Sequence, residues 1–327
     1  MPTSAVTGTA QVATDQAAYE QRAFYALRQE FYFDSCADVR PTMETHPGSS
    51  VVFNIMSELA VATTALTELS DVTAVALGDS TTSVTLVEQG NATTVSAKLR
   101  GTSYLSEMVR AATEIGYNAG KSQDTLARDP LLGGTNTLFP ASFGGTGTTR
   151  ATIVHADVLT ADAVRQARAT LSNGSAKRWS GMGGYYRAFI APDVVYDLTS
   201  ETGSDAWREP RVQAGVNASD VFMGVVGYFE GFNFQETPRL DIPELPAGWV
   251  NGGATNEDVY PTVFLGQQAL AKAYSKPVSA PQAQIEISPV TDLLNRFRGI
   301  GWYWLGGYAR FREACLVRVE SSSSLGA

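Results

Sequence analysis

The chain has 327 residues, 17% charged and 44% hydrophobic, with a formal net charge of −9. That length allows one large domain or two modest ones with a substantial core, and the composition excludes a disordered tail. An acidic chain of this kind should be soluble and cannot condense DNA by general phosphate neutralisation, although an acidic wall suits a container in which DNA must slide.

No apolar run approaches the roughly 18–20 residues of a membrane span. Residues 1–18 have neither the basic start nor the apolar stretch of a secretion signal, so the protein is expected to act where it is made. The same residues are rich in Thr, Ala and Ser and aperiodic, which predicts an extended arm. Residues 19–33, YEQRAFYALRQEFYF, predict a short helix with an aromatic face that includes Tyr19, Phe24 and Phe31. So many rings need a partner surface.

Residues 50–56 and 93–99 read as a pair of β-branched strands, with Gly78-Asp79 and Gln89-Gly90 as turn signals between them. A two-stranded ribbon is marginal alone and leaves bare edges, so it calls for neighbours. A long helix is predicted from Ser103 to Asp129, with Leu105, Met108, Val109, Ala112, Ile115, Ala119 and Leu126 on one stripe and Pro130 as its stop. Residues 131–149 read as a loop. Thr160 should cap a helix over 161–172, followed by a strand near 185–190, a short helix after Pro192-Asp193 and a strand over 232–236. Residues 259–265 predict a strand, 267–273 a short helix, and 284–320 further strands. The end, SSSSLGA, reads as an exposed polar tail.

A search for chemistry returns no catalytic residue, cofactor site or metal site. The two imidazoles, His46 and His155, lack a catalytic or metal motif, and there is no HExxH or GxSxG. The segments LLGGTN and FGGTGTTR lack the Lys-Ser/Thr ending that a phosphate loop requires. The pairs Asp34/Asp38 and Glu257/Asp258 could attract a divalent cation, but a solvated acidic face is the better reading. Cys36 and Cys315 read as buried free thiols, with a disulfide between the two ends of the chain as the alternative.

Several motifs, in order, carry a resemblance: ATTALTE (62–68), TLVEQGNATTVSAKL (85–99), DTLARDPLLGGTN (124–136), LTADAVRQARATLSNGSAK (159–177), GGYYRAFIAPDVVYDLTSET (183–202), VGYFEGFNFQETP (226–238), DVYPTVFLGQQAL (258–270) and GIGWYWLGGYARFREACLVRVESS (299–322). The chain resembles the major capsid proteins of tailed bacteriophages with the Hong Kong 97-like fold, in the group typified by the coat protein of phage N-four. The resemblance implies an α+β fold. Residues 1–48 would be an N-terminal arm, 49–101 an extended β-hairpin loop, and 102–152 a peripheral domain with a long spine helix. Residues 153–286 would be an axial αβ domain, and 287–327 the closing strands of the peripheral domain with a C-terminal strand that returns toward the axial one.

It implies self-association into hexamers and pentamers of an icosahedral shell, placed in the virion capsid and assembled in the host bacterial cytoplasm. Further implied partners are a portal, a separate scaffolding protein, an optional decoration protein, and packaged double-stranded DNA bound without sequence specificity. The alternatives are an encapsulin-type nanocompartment shell and a phage tail or adhesin protein. Residues 51–97 carry Glu58, Glu68, Asp71, Asp79 and Glu88 with no Lys or Arg, while the closing stretch carries Arg296, Arg298, Arg310, Arg312 and Arg318. This asymmetry predicts that the acidic loop docks on arginines of an adjacent subunit. Because the loop has no lysine before Lys98, a shell without covalent cross-links is expected.

Overall fold

The computed structural model describes residues 31–41, 48–56, 59, 61–63, 65, 68, 71, 74–102, 107–180, 183–201, 225–242, 244–276, 279–288, 294 and 296–325. In chain order the strands are β1 (Ala37–Pro41), β2 (Ser50–Met56), β3 (Asp79–Thr85), β4 (Val87–Ser96), β5 (Thr137–Leu138), β6 (Tyr186–Ile190), β7 (Val225–Phe229), β8 (Phe232–Glu236), β9 (Tyr260–Leu265), β10 (Leu270–Tyr274), β11 (Gln284–Ile287), β12 (Phe297–Arg310) and β13 (Leu316–Ser321). The helices are α1 (Ala97–Thr102), α2 (Glu107–Leu132), α3 (Ala161–Asn173) and α4 (Pro192–Ser200).

One sheet is built on the 14-residue β12, which pairs with β4 along one side and with β10 and β11 along the other; β1 adds in parallel to β10. α2 lies on one face of it. Met108, Ala112, Ile115 and Ala119 pack on Ile300, Trp302 and Trp304, the alternate residues of β12 that point one way. The Trp302 indole N–H donates to Asn118 Oδ1 at 2.8 Å, which fixes the helix along the strand.

The second sheet has the order β5-β13-β9-β6-β8-β7. β9 and β13 are buried at every position, and Phe189, Phe232, Phe234 and Phe264 form the core of the sheet with α3 and α4. Thr160 Oγ1 accepts the N–H of Ala163 and caps α3, as its position predicts. β10 and β11 pair within the sheet that carries α2, and β13 pairs within the other.

Four local expectations are corrected. The ribbon pairs β2 with β3, while β4 pairs with β12, so Gln89-Gly90 is not a turn but lies inside β4. Residues 270–274 form a strand, not a helix, because both neighbours of β10 pair with it and all five side chains are buried. α2 runs two residues past Pro130. Burying Leu131 and Leu132 contributes about 1.5–3 kcal/mol each, which offsets the roughly 3 kcal/mol cost of an interior proline. Finally, Ser321, Ser322 and Ser323 are buried; Ser322 N–H bonds Asp157 O at 2.9 Å, so the serine run is held as an edge of the fold.

Candidate inter-subunit surfaces

The β2–β3 ribbon is seated at its root only. Phe53 and Val84 point inward against Ala271, Ala273 and Phe311, with the Phe53 and Phe311 rings 5.4 Å apart. The opposite face and the segment beyond have no cover from the described residues: Val52, Met56, Leu59, Val61, Val75 and Leu77 are exposed, Val61 by 84%. Six exposed apolar side chains within one segment are the kind of surface that a contact between chains buries.

The predicted acids fall on or beside this ribbon. Glu68 and Asp71 are exposed in the segment between β2 and β3. Asp79 accepts a hydrogen bond from Asn54 Nδ2 at 3.0 Å, and Glu88 accepts one from the Tyr303 hydroxyl at 3.1 Å. Glu58 lies outside the described residues, as do Tyr19, Phe24 and His46.

The predicted arginines separate into three places. Arg296 and Arg298 are at the start of β12, where Ala97 N–H bonds Arg296 O and so brings α1 alongside. Exposed Leu294 and Phe297 adjoin them in sequence, and exposed Leu99 lies in α1. Arg310 and Arg312 belong to the other end, about 40 Å away along the strand, and Arg310 pairs with Glu313 at 3.4 Å. Arg318 lies apart from both pairs. It is 7% exposed, donates to Glu320 Oε1 and to the carbonyls of Leu132 and Gly133, and therefore serves its own subunit.

The arm's root was the part least visible in the sequence. Phe31 packs on the cluster under α2, and the fully buried Phe33 ring meets Phe189 of the second sheet in a tilted contact, with centroids 4.6 Å apart. The Phe33 ring thus joins residues that precede β1 to the α3–α4 body. A run of aromatics marks the region, but nothing local distinguishes Phe33 from its neighbours.

Both glycine-rich loops already hold an anion of the chain itself. Asp157 accepts the N–H groups of Thr146, Gly147 and Val154 at 2.7–3.0 Å. Glu313 Oε1 accepts those of Thr135 and Asn136 at 2.6 and 3.3 Å. The N–H groups of a phosphate cradle are thereby occupied. Asp34 is bound by Lys272 and Tyr308, His155 faces Glu257 at 3.5 Å, and Cys36 and Cys315 are buried free thiols. Among the described residues no group of three or more His, Cys, Asp or Glu could hold a metal ion.

The chain's fold is that of known capsid subunits. It superposes on the cyanophage Pam1 capsid asymmetric unit with a TM-score of 0.65 at 17% identity, covering 91% of this chain and 92% of that one. The Ralstonia phage GP4 capsid gives 0.66 at 12%, covering 91% and 90%, and the cyanophage P-SCSP1u capsid 0.61 at 13%, covering 90% and 89%. At such identities the likeness is one of fold, and it is consistent with the Hong Kong 97-like arrangement. No curated protein sequence matches. The profile of the family described as phage capsid protein, however, matches residues 9–325, and on that match the chain belongs to the phage capsid protein family.

Proposed function

We propose that the chain is the major capsid protein of a tailed phage, self-assembling as hexamers and pentamers into the icosahedral head around double-stranded DNA. Beyond family membership, the observation that carries this reading is the β2–β3 ribbon, whose apolar outer face is left exposed by the described residues and suits a contact with another chain. A second copy is the simplest partner. The ribbon's outer segment offers Leu59, Val61, Val75 and Leu77 with Glu68 and Asp71, and the start of β12 offers Leu294, Phe297 and Leu99 with Arg296 and Arg298. Apolar surface meets apolar surface, and opposite charges set the register. Arg318 takes no part.

In this reading residues 1–48 are the arm, 49–101 the extended loop, and α2 the spine of a peripheral domain. The domain built on the second sheet is axial. Sheet pairing supports counting β10 and β11 with the peripheral domain and β13 with the axial one. Assembly in the host cytoplasm would use a portal and a separate scaffolding protein, and a decoration protein is compatible with the fold. The net charge of −9 supports packaged DNA held without sequence-specific contacts. The exposed ribbon and the family match favour the phage head over a nanocompartment or a tail protein. Negative-stain microscopy of the expressed chain tests the proposal: closed polyhedra, sheets or tubes support it, and a monomer that assembles under no condition overturns it.

A further inference from the structure

Three elements meet around one buried carboxyl on the long helix. Asp124 of α2 is fully buried. Its Oδ1 accepts the backbone N–H of Tyr32 at 2.9 Å and of Phe33 at 2.8 Å, so it holds the segment through which the N-terminal arm joins the body. Its Oδ2 is buried with no hydrogen-bond partner.

Charged groups close around it from each side. From the 238–244 loop, Arg239 faces the carboxyl. One turn before Asp124, Lys121 pairs with Glu244; one turn after, Arg128 donates to the carbonyls of Arg239 and Glu244 at 2.9 and 2.7 Å and pairs with Asp129. On the arm side Asp34 binds Lys272 at 2.5 Å and the Tyr308 hydroxyl at 2.7 Å. Cys36 lies 3.0 Å from Arg187 NH1. His155 is elsewhere, beside Glu257.

We propose that Asp124 is a proton-operated latch on the root of the N-terminal arm: protonation tightens its hold on residues 31–36, and deprotonation loosens it. The ionised form keeps a charge out of water and leaves one oxygen unsatisfied. The protonated form loses that charge while Oδ1 retains both N–H bonds. Burial accordingly raises the Asp124 pKa from 3.8 to about 6, against the opposing pull of the backbone N–H groups of Phe33, Tyr32 and Asp34 and of Arg239. Burial also raises Cys36 and Tyr308, which therefore stay neutral in this range.

Opening the latch hydrates Asp124 and returns it to its ordinary value. The closed state therefore binds the proton more tightly, and it gains on the open state as pH falls through about 6. From pH 7.5 to pH 5 the closed-to-open ratio should rise about tenfold.

The latch lies within one subunit, so its test does not depend on assembly. Hydrogen exchange of the full chain, followed by mass spectrometry on peptides covering residues 31–36 and corrected for intrinsic rates, reads the ratio directly. The wild type should exchange about tenfold more slowly at pH 5 than at pH 7.5. Asp124→Asn, neutral throughout and still an acceptor, should be slow and flat across that range. Asp124→Ala should be fast and flat; if it does not fold, the Asn variant decides. A wild type that changes less than twofold, or an Asn variant that keeps the wild-type pH dependence, overturns the proposal.

Discussion

Arg150 holds Glu320 with two parallel hydrogen bonds: Nε reaches Oε2 and a terminal nitrogen reaches Oε1, each at 2.8 Å. Glu320 is 1% exposed, and Arg318 Nε shares its Oε1 at 2.9 Å. Trp249 lies under Arg150, with its ring centroid 3.5 Å from Cζ. One buried carboxylate thus serves two guanidiniums, and burial lowers the pKa of Arg318 while Glu320 supports its charge. Glu320→Ala leaves Arg318 buried without its counter-ion and should cost about 3–5 kcal/mol. Arg150→Ala should cost less, since Arg150 is partly exposed and Arg318 still pairs with Glu320. Urea midpoints of the two variants check the order, and equal losses would contradict the shared-carboxylate account.

Gly307 controls how closely the ribbon approaches β12. A Cβ there would stand 2.1 Å from the backbone oxygen of Thr85, which cannot rotate away. Gly307→Ala should therefore lift β3 from β12 and unseat Phe53 from Phe311 while leaving the phenylalanine core of the second sheet intact. We expect far fewer particles by microscopy with a retained cooperative melt by circular dichroism. Normal particle yield would show that the ribbon need not lie flush on the strand.

The exposed apolar residues of the ribbon contribute little to the lone subunit and much to a contact. Val61→Asp with Leu77→Asp should change the stability of the unassembled chain by no more than about 0.5 kcal/mol and abolish assembly by burying charge. Reversing Arg296 and Arg298 to Glu should weaken assembly, and reversing Glu68 and Asp71 to Lys in the same chain should restore part of it. Restoration should fade as salt rises. Light scattering during assembly reports both effects.

A shell with no lysine on its ribbon should be held without covalent links. Purified particles boiled in detergent are expected to run as one band near 34.9 kDa. A ladder of multimers would show cross-linking.

What the sequence disclosed was what local chemistry decides. The stripe of Met108, Ala112, Ile115 and Ala119 faces the sheet because its period matches a helix, and Thr160 caps α3 because its side chain reaches an N–H three residues on. What it concealed depends on partners far along the chain. β10 carries Lys272, which looks like a solvent-facing residue until Asp34, 238 positions earlier, binds it. The task of Asp124 is invisible because Tyr32 and Phe33 lie more than 90 residues away. Arg318 was readable in principle: Glu320, two residues on in the same strand, points the same way, which is the spacing of an internal ion pair.

The serine run at the end shows the same limit and yields a last test. Small hydroxyl side chains look solvent-facing in a list of residues, yet Ser321, Ser322 and Ser323 are buried against the second sheet. Ser324 then donates its N–H to Asp197 Oδ2 at 2.9 Å and its hydroxyl to Oδ1 of the same carboxylate. Asp197 itself is only 6% exposed, on α4. Removing residues 321–327 takes both donors from a buried carboxylate and uncovers the edge of the second sheet, so a loss of about 2–4 kcal/mol is expected. Ser324→Ala, which removes only the hydroxyl donor to Asp197, should cost about 0.5–1.5 kcal/mol. Asp197→Asn, which keeps the shape and sheds the charge, should fall between the two. Thermal midpoints of these three variants separate a tail that holds the fold from one that merely follows it, and a stable 1–320 chain would refute the first.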